Sequence, residues 1–313
     1  MSDRRVRVVY IAGASRSGST LLAMLLGTSP GCVSLGEVRH VWRRGVEQDQ
    51  LCGCGEPFSS CPFWSEVGDR AFGGWDLARA RRMLALQSRV DRFRRLPQLA
   101  LLRVASRRRA LVDEYLETTS RIYYAAAAIS GSSTVIDSSK SASFAMLLGR
   151  MQSVDALILH LIRDSRAVAH SWTRRRAMPE VTDREEYMAT FGPFKAAAMW
   201  AGSNAALDVI DRTSTVPSVR LRYEELVRGS PGQLRALAGA LGLDEGAVSA
   251  LAGPEVHVSV QHTVAGNPAR FTQGGIVLRP DEEWRASMPS RDRRAVEMLT
   301  WPLLARYGYH LRG

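Results

Sequence analysis

Val6-Arg7-Val8-Val9-Tyr10-Ile11-Ala12, then Gly13-Ala14-Ser15-Arg16-Ser17-Gly18-Ser19-Thr20, then Leu21-Leu22-Ala23-Met24-Leu25-Leu26 is the stretch that decides the fold. The first part is a β-branched apolar run, the signature of a buried strand, and the last is an apolar segment of helical character. Between them, two glycines with four intervening residues are followed by two hydroxyl residues. At a strand-to-helix junction this is the spacing of a P-loop, whose backbone N–H groups and helix N-terminus surround a phosphate. A plain structural turn is the competing reading of so short a motif. Ser19 stands where a nucleoside-triphosphate loop carries the lysine that reaches the β- and γ-phosphates, and the nearest cation is Arg16 inside the loop. The expected ligand is therefore a phosphate ester without a β/γ pair.

Outward from this unit the chain alternates strand and helix. Gly27 to Glu37 reads as a turn leading to a short strand, and Gly45 to Pro62, rich in Gly, Cys, Pro and Ser, reads as a loop. Residues 76–130 read as helical with a break at Pro97. Strands are expected at Thr134 to Asp137, Ala156 to Ile162 and Ser218 to Tyr223, and helices at Ser141 to Met151, Ala167 to Arg176, 184–212, Pro231 to Leu241 and Ser290 to Leu304. Gly266 to Gly275 reads as a loop. Such alternation implies βαβ units and a parallel sheet. The fold class is α/β, a three-layer P-loop-like fold with a helical insertion at about 76–130, and residues 1–313 form a single domain.

The 313 residues carry 42 basic and 31 acidic side chains, a net charge of +11. Only Lys140 and Lys195 are lysines, so the excess is almost wholly arginine and is as compatible with a GC-rich coding sequence as with a binding surface. Residues 76–109 hold eleven arginines against two aspartates. A solvated face over a packed stripe accounts for them; weak contact with an anionic membrane surface is the second reading. Four cysteines do not make a disulfide scaffold, Val8 to Ala12 is too short for a signal-peptide core, and no apolar run has spanning length. Cytoplasmic location is expected.

A second anion-binding element follows the strand ending at Ile162. Arg163 sits at the carboxyl edge of a parallel sheet, where α/β ligands bind, and Ser171 lies two turns into the next helix. An arginine fork and a hydroxyl there could hold one phosphate; a local Arg163–Asp164 pair is the competing reading.

Here a resemblance becomes specific. Ser15-Arg16-Ser17-Gly18-Ser19-Thr20-Leu21-Leu22 resembles the 5′-phosphosulfate loop of sulfotransferases that use 3′-phosphoadenosine 5′-phosphosulfate (PAPS), and Arg163 with Ser171 resembles their 3′-phosphate element. Arg220-Leu221-Arg222-Tyr223-Glu224-Glu225-Leu226 resembles the strand end whose tyrosine lies near the adenine. His262 to Arg270 resembles the bacterial members' "GN..R" loop, which carries Asn267 and Arg270 and closes over the 3′-phosphate. The resemblance implies PAPS as co-substrate, two separate phosphate sites, and no metal required.

It also implies the catalytic groups. Asp137-Ser138-Ser139-Lys140 resembles the "DSSK" segment of bacterial and tyrosylprotein-type members, and Gly36-Glu37-Val38-Arg39 resembles their "GE..R" segment. In-line sulfuryl transfer requires cations at the leaving phosphate, for which Arg16 and Lys140 are the candidates, and a base for the acceptor hydroxyl, for which Glu37 is the candidate. His40 is the alternative base, and His160 reads as a buried strand residue. The acceptor would be a small molecule, carbohydrate or glycolipid bearing a hydroxyl or, less favoured, an amine, and nucleic acid is not expected as a partner. A P-loop small-molecule kinase and a basic nucleic-acid- or membrane-binding protein are the competing functions. Cys52, Cys54 and Cys61, with Cys32 as fourth ligand, offer a zinc reading, but the spacing lacks paired C-x2-C knuckles, and a disulfide or free thiols in a substrate-side loop is preferred.

Overall fold

The computed structural model describes residues 5–100, 106–229, 231–243 and 255–310. Five parallel strands, β1 (Arg7–Gly13), β2 (Cys32–Gly36), β3 (Thr134–Lys140), β4 (Asp155–Ile162) and β5 (Ser218–Arg222), form one sheet in the order β2-β3-β1-β4-β5. Parallel strands need crossovers, and helices on both faces supply them. Along β1, Val8, Tyr10 and Ala12 enter one buried cluster and Val9 and Ile11 another, so a single apolar run serves two layers. The first layer is built from α2 (Pro62–Phe72), α3 (Leu77–Val90), α4 (Leu96–Ala100), α5 (Ser106–Ser130), α6 (Ala142–Leu148) and part of α8 (Pro193–Thr213). The second holds α1 (Ser19–Gly27), α9 (Tyr223–Arg228) and α10 (Pro231–Leu241). Helix α7 (Ser165–Thr173) packs with α8, α11 (Glu283–Ser287) and α12 (Ser290–Arg306), and the group rests on Ala14 and Ile162 at the ends of β1 and β4.

Several boundaries differ from those expected. The 184–212 helix starts at Pro193, because Gly192 before it is extended and Ala177 and Tyr187 pair instead as an isolated bridge. The helical insertion begins earlier, at Pro62, and breaks at Asp91 rather than Pro97, which lies in the first turn of α4. Tyr223 opens α9 instead of closing β5, and Gly274–Val277 (β7) pairs antiparallel with Glu255–Val258 (β6), so the expected loop ends in a hairpin. Part of the basic 76–109 segment, residues 101–105, lies outside the described residues. Several arginines from Arg79 onward are paired, Arg79 with Asp76 at 2.8 Å and Arg82 with Glu114 through both carboxylate oxygens at 2.7 and 2.5 Å.

The insertion is fastened to the sheet by Asp91, which is wholly buried. Its carboxylate accepts from Arg39 Nε (2.6 Å), Ser141 Oγ (2.8 Å), Ser143 Oγ (2.5 Å) and Tyr115 OH (3.2 Å), and its carbonyl accepts from Arg39 Nη2 (2.8 Å). Arg39 follows β2 and Ser141 follows β3, so one carboxylate joins the two strand ends to the insertion. Removing it leaves a guanidinium and three hydroxyls without their shared acceptor. Asp91→Ala should lower unfolding free energy by about 3–5 kcal/mol, measured by urea denaturation, and a loss below about 1 kcal/mol would show that this junction is not a fastening point.

Candidate functional site

The carboxyl ends of β1, β2, β3 and β4 converge on a cavity of about 440 Å³. Ser15, Arg16, Gly18, Ser19, Thr20, Glu37, Lys140, Arg163, Ser171, Tyr223 and Asn267 all line it, so residues up to 252 positions apart in the chain meet in one place. Ser17 and Arg270 do not. Five cations, Arg16, Arg44, Lys140, Arg163 and Arg176, face two carboxylates, Glu37 and Asp281, among its described lining residues.

The β1–α1 loop has the expected shape. Gly18 caps α1 with φ +92°, and a Cβ there would lie 2.4 Å from Cδ2 of Tyr223, so only glycine lets the tyrosine ring rest on the loop. The first helical bond of α1 runs from the Leu22 N–H to the Gly18 carbonyl (3.0 Å), leaving the N–H groups of its first turn available to an anion. Arg16 adopts φ +72°, and its Cζ stands 5.0 Å from the Trp172 ring centroid. One nitrogen, Nη1, donates to Met188 Sδ (3.3 Å), while Nε and Nη2 are buried without a hydrogen-bond partner. Burial, reinforced by the nearby Arg176, pushes the guanidinium pKa down to about 10. Two buried donors on a desolvated cation are a site that an anion would satisfy.

Arg163 does not pair with Asp164. Asp164 instead binds Arg166, through Nε (3.0 Å) and Nη2 (2.7 Å). Arg163 stacks on Tyr223, 4.5 Å from Cζ to the ring centroid, donates Nη1 to the Arg16 carbonyl (3.2 Å) and Nη2 to Asp281 Oδ2 (2.9 Å), and keeps Nε buried and unpartnered. Arg270 is committed elsewhere, donating to the carbonyls of Thr263 (2.6 Å) and Leu51 (2.8 Å). It fastens the 263–270 loop rather than lining the cavity, and burial lowers its pKa. Asn267 touches the cavity and is tied to α1, its backbone N–H donating to Thr20 Oγ1 (3.2 Å).

Glu37 and Lys140 form an ion pair across the ends of β2 and β3. Lys140 has φ +66° and follows a break in β3 register, where Tyr10 pairs with Asp137 but Ala12 with Lys140. Upstream, Asp137 accepts from Ser139 N (2.9 Å) and Tyr123 OH (2.6 Å), and burial holds its pKa up at about 6. On the other side Gly36, at φ +73°, lets the Val264 carbonyl approach, which accepts from the Glu37 N–H at 2.8 Å. Burial alone would raise the Glu37 pKa; Lys140, His40 (3.5 Å away) and Arg44 outweigh it and hold the carboxyl below its ordinary range. Burial pushes His40 down to about 4, so it is a neutral imidazole at pH 7. A second cavity of about 730 Å³, bounded by Phe93, Met199 and Arg92, shares Ser15, Glu37, His40, Lys140 and Trp172 with the first.

A profile described as Sulfotransferase family matches residues 9–246, more than half of the chain. The chain belongs to the Sulfotransferase family. Its fold is similar to that of the sulfotransferase domain from the Synechococcus PCC 7002 olefin synthase, with 20% identity, 96% of this chain and 95% of that chain covered, and a TM-score of 0.50. It is similar also to the sulfotransferase domain from the curacin biosynthetic pathway, with 17% identity, coverage of 98% and 99%, and a TM-score of 0.52. No curated protein sequence matches this one. No helix among the described residues is long and apolar enough to cross a membrane.

Arg44, Arg176 and Asp281 were not reached by sequence reasoning. Arg176 ends an arginine run that looks like solvated surface, and Arg44 lies in a π-helical turn (Val41–Glu47) with no local signal. Calorimetric titration with inorganic pyrophosphate tests the anion site. Arg16→Ala should weaken binding about tenfold or more, as loss of hydrogen bonds to a charged group requires. Asp281→Asn, which frees the Arg163 fork, should strengthen it, and an unchanged Kd in both would place the anion elsewhere.

Proposed function

We propose that this sulfotransferase moves a sulfonate group from PAPS to a hydroxyl of a small molecule, carbohydrate or glycolipid acceptor, with Glu37 as base and Arg16 and Lys140 at the leaving phosphate. The observation that carries the reading is that two cavities share the Glu37–Lys140 pair. One is lined by cations at three strand ends, Arg16, Lys140 and Arg163, suited to a donor with several negative charges; the other sets Phe93, Met199 and Trp200 beside Arg39, Arg92 and Arg94, a mixed wall with room for an acceptor body. Tyr223, packed on the phosphate loop and beneath Arg163, supports an adenine and ribose site between the two phosphate positions. The 5′-phosphosulfate would take the α1 N-terminus and Arg16. Arg163 and Ser171 would take the 3′-phosphate once Asp281 releases the fork, and Asn267 would close the site.

Glu37 accepts the acceptor's proton as its oxygen forms the bond to sulfur. The bond from sulfur to the bridging phosphate oxygen breaks, and Lys140 and Arg16 meet the charge that collects on that oxygen. In the resting site Lys140 is bonded to Glu37, which weakens the carboxylate as a base. As Lys140 turns to the leaving oxygen, the carboxylate recovers basicity at the moment a proton must be taken. The low local dielectric strengthens both interactions.

Transfer of labelled sulfonate from PAPS over a panel of acceptors tests the reading directly; no transfer, with ATP and magnesium turned over instead, would replace it by kinase chemistry. Glu37→Gln should lower kcat about 10²–10⁴-fold with donor affinity nearly unchanged, and Lys140→Ala should reduce kcat more than donor binding. The pH profile has a defined sign. Glu37 acts only as carboxylate and its pKa lies below the ordinary value of about 4.3, so kcat/KM should show no acid limb from Glu37 at pH 5 or above. An acid limb between about pH 6 and 7 would assign the base to neither Glu37 nor His40.

A further inference from the structure

Three cysteines and a histidine outside both cavities point at a common centre. Cys52, Cys54, Cys61 and His262 are the one group of this kind among the described residues, with all four ligand atoms within 4.8 Å of one another. The individual separations are Cys52 Sγ to Cys61 Sγ 3.6 Å, Cys54 Sγ to Cys61 Sγ 3.7 Å, and His262 Nδ1 to Cys61 Sγ 3.3 Å and to Cys52 Sγ 3.9 Å. Tetrahedral Zn²⁺ with bonds of about 2.3 Å to sulfur and about 2.0–2.1 Å to nitrogen sets its ligands about 3.7 Å apart between sulfurs and about 3.6 Å from sulfur to nitrogen. Disulfide bonding requires about 2.05 Å, and all four cysteines of the chain are free.

We propose that these four residues bind a structural zinc ion. The surrounding groups are arranged as thiolate ligands need. Backbone amides of Cys54, Glu56 and Trp64 lie near the sulfurs of Cys52, Cys54 and Cys61 respectively and favour their negative forms. Cys61 is the N-cap of the eleven-residue helix α2, whose dipole favours a negative sulfur there. Phe63 stacks on the His262 ring at 5.0 Å between centroids and 12° between planes, fixing the imidazole. The Cys52–Cys54 turn is closed by Gly55 N–H to the Cys52 carbonyl (2.9 Å) and Cys52 N–H to the Glu56 carbonyl (2.8 Å). Cys32, the fourth ligand of the spacing-based reading, is not a member; His262, some two hundred residues downstream, takes that place.

Four protein ligands leave no open position, which makes the ion a fastener rather than a Lewis acid. What it fastens is the catalytic edge. Thr263, next to His262, accepts from the Gly53 N–H (2.9 Å) and from Arg270, and Val264 accepts from the Glu37 N–H. Zinc would thus bind the 52–61 loop to the segment that holds Glu37 and Asn267 in place.

Metal analysis of protein purified under reducing conditions without chelator should find about one zinc per chain, and cobalt added after stripping should produce thiolate charge-transfer and tetrahedral d–d bands. Cys54→Ser and His262→Ala should lose the metal and several degrees of Tm, and Cys32→Ser should keep the metal. Should the two ligand variants fail to fold, the cobalt spectrum and thiol count of the unaltered chain decide the question. Protein that contains no zinc, takes up no cobalt and titrates four reactive thiols overturns the proposal, as does a disulfide between any two of the three cluster cysteines when thiols are blocked at lysis.

Discussion

Glu37 and Lys140 meet at the ends of adjacent strands, and both are nearly out of water. A carboxylate and an ammonium in such a place are tolerated only as a pair, since either alone would carry an uncompensated desolvation cost of several kcal/mol. The pair therefore ties the carboxyl ends of β2 and β3 together where each chain leaves the sheet. It also stands where the two cavities join, so the group that stabilises the resting site is the one any reacting molecule must meet.

Holding that pair has a backbone cost. Arg16 and Lys140, which line the cavity, and Ala265, next to its lining residue Gly266, all adopt positive φ, a conformation worth about 1–3 kcal/mol of strain each in residues other than glycine. Hydrogen bonds around them make up the difference. Asp137 fixes the turn before Lys140, Asp91 joins the segments after Glu37 and Lys140, and Val264 holds the Glu37 backbone. Arg270 belongs with this scaffold, its guanidinium bonded to two backbone carbonyls from separate segments. Among the cations lining the cavity, Arg16 and Arg163 keep buried N–H groups without a partner, and their chemistry asks for an anion.

Much of this was legible in residues near one another in the chain. The apolar run before Gly13, the glycine spacing and the hydroxyls identified β1, its loop and α1, and the positions of Arg163, Glu37 and Lys140 after strand signals placed them at the sheet's ligand-binding edge. The helix expected from residue 184 failed where Gly192 and Pro193 impose a late start, and β6–β7 was missed because two four-residue strands leave little periodicity to detect. Asp281 on Arg163, Arg44 and Arg176 in the cavity wall, and Arg270 withdrawn from it, are outcomes of packing that no local pattern encodes.

Local chemistry by itself determined the strand–loop–helix unit and the alternating α/β type, because glycine placement, β-branching and helical periodicity act within a few residues. Only the tertiary structure decided which charges are free and which are spent, and that His262 rather than Cys32 completes the cysteine cluster. The physical reason is the same in both cases. A guanidinium's partner or a metal's fourth ligand is set by distances of 3 to 4 Å between atoms that the chain brings together from more than a hundred residues apart, and sheet order and loop closure alone fix those distances.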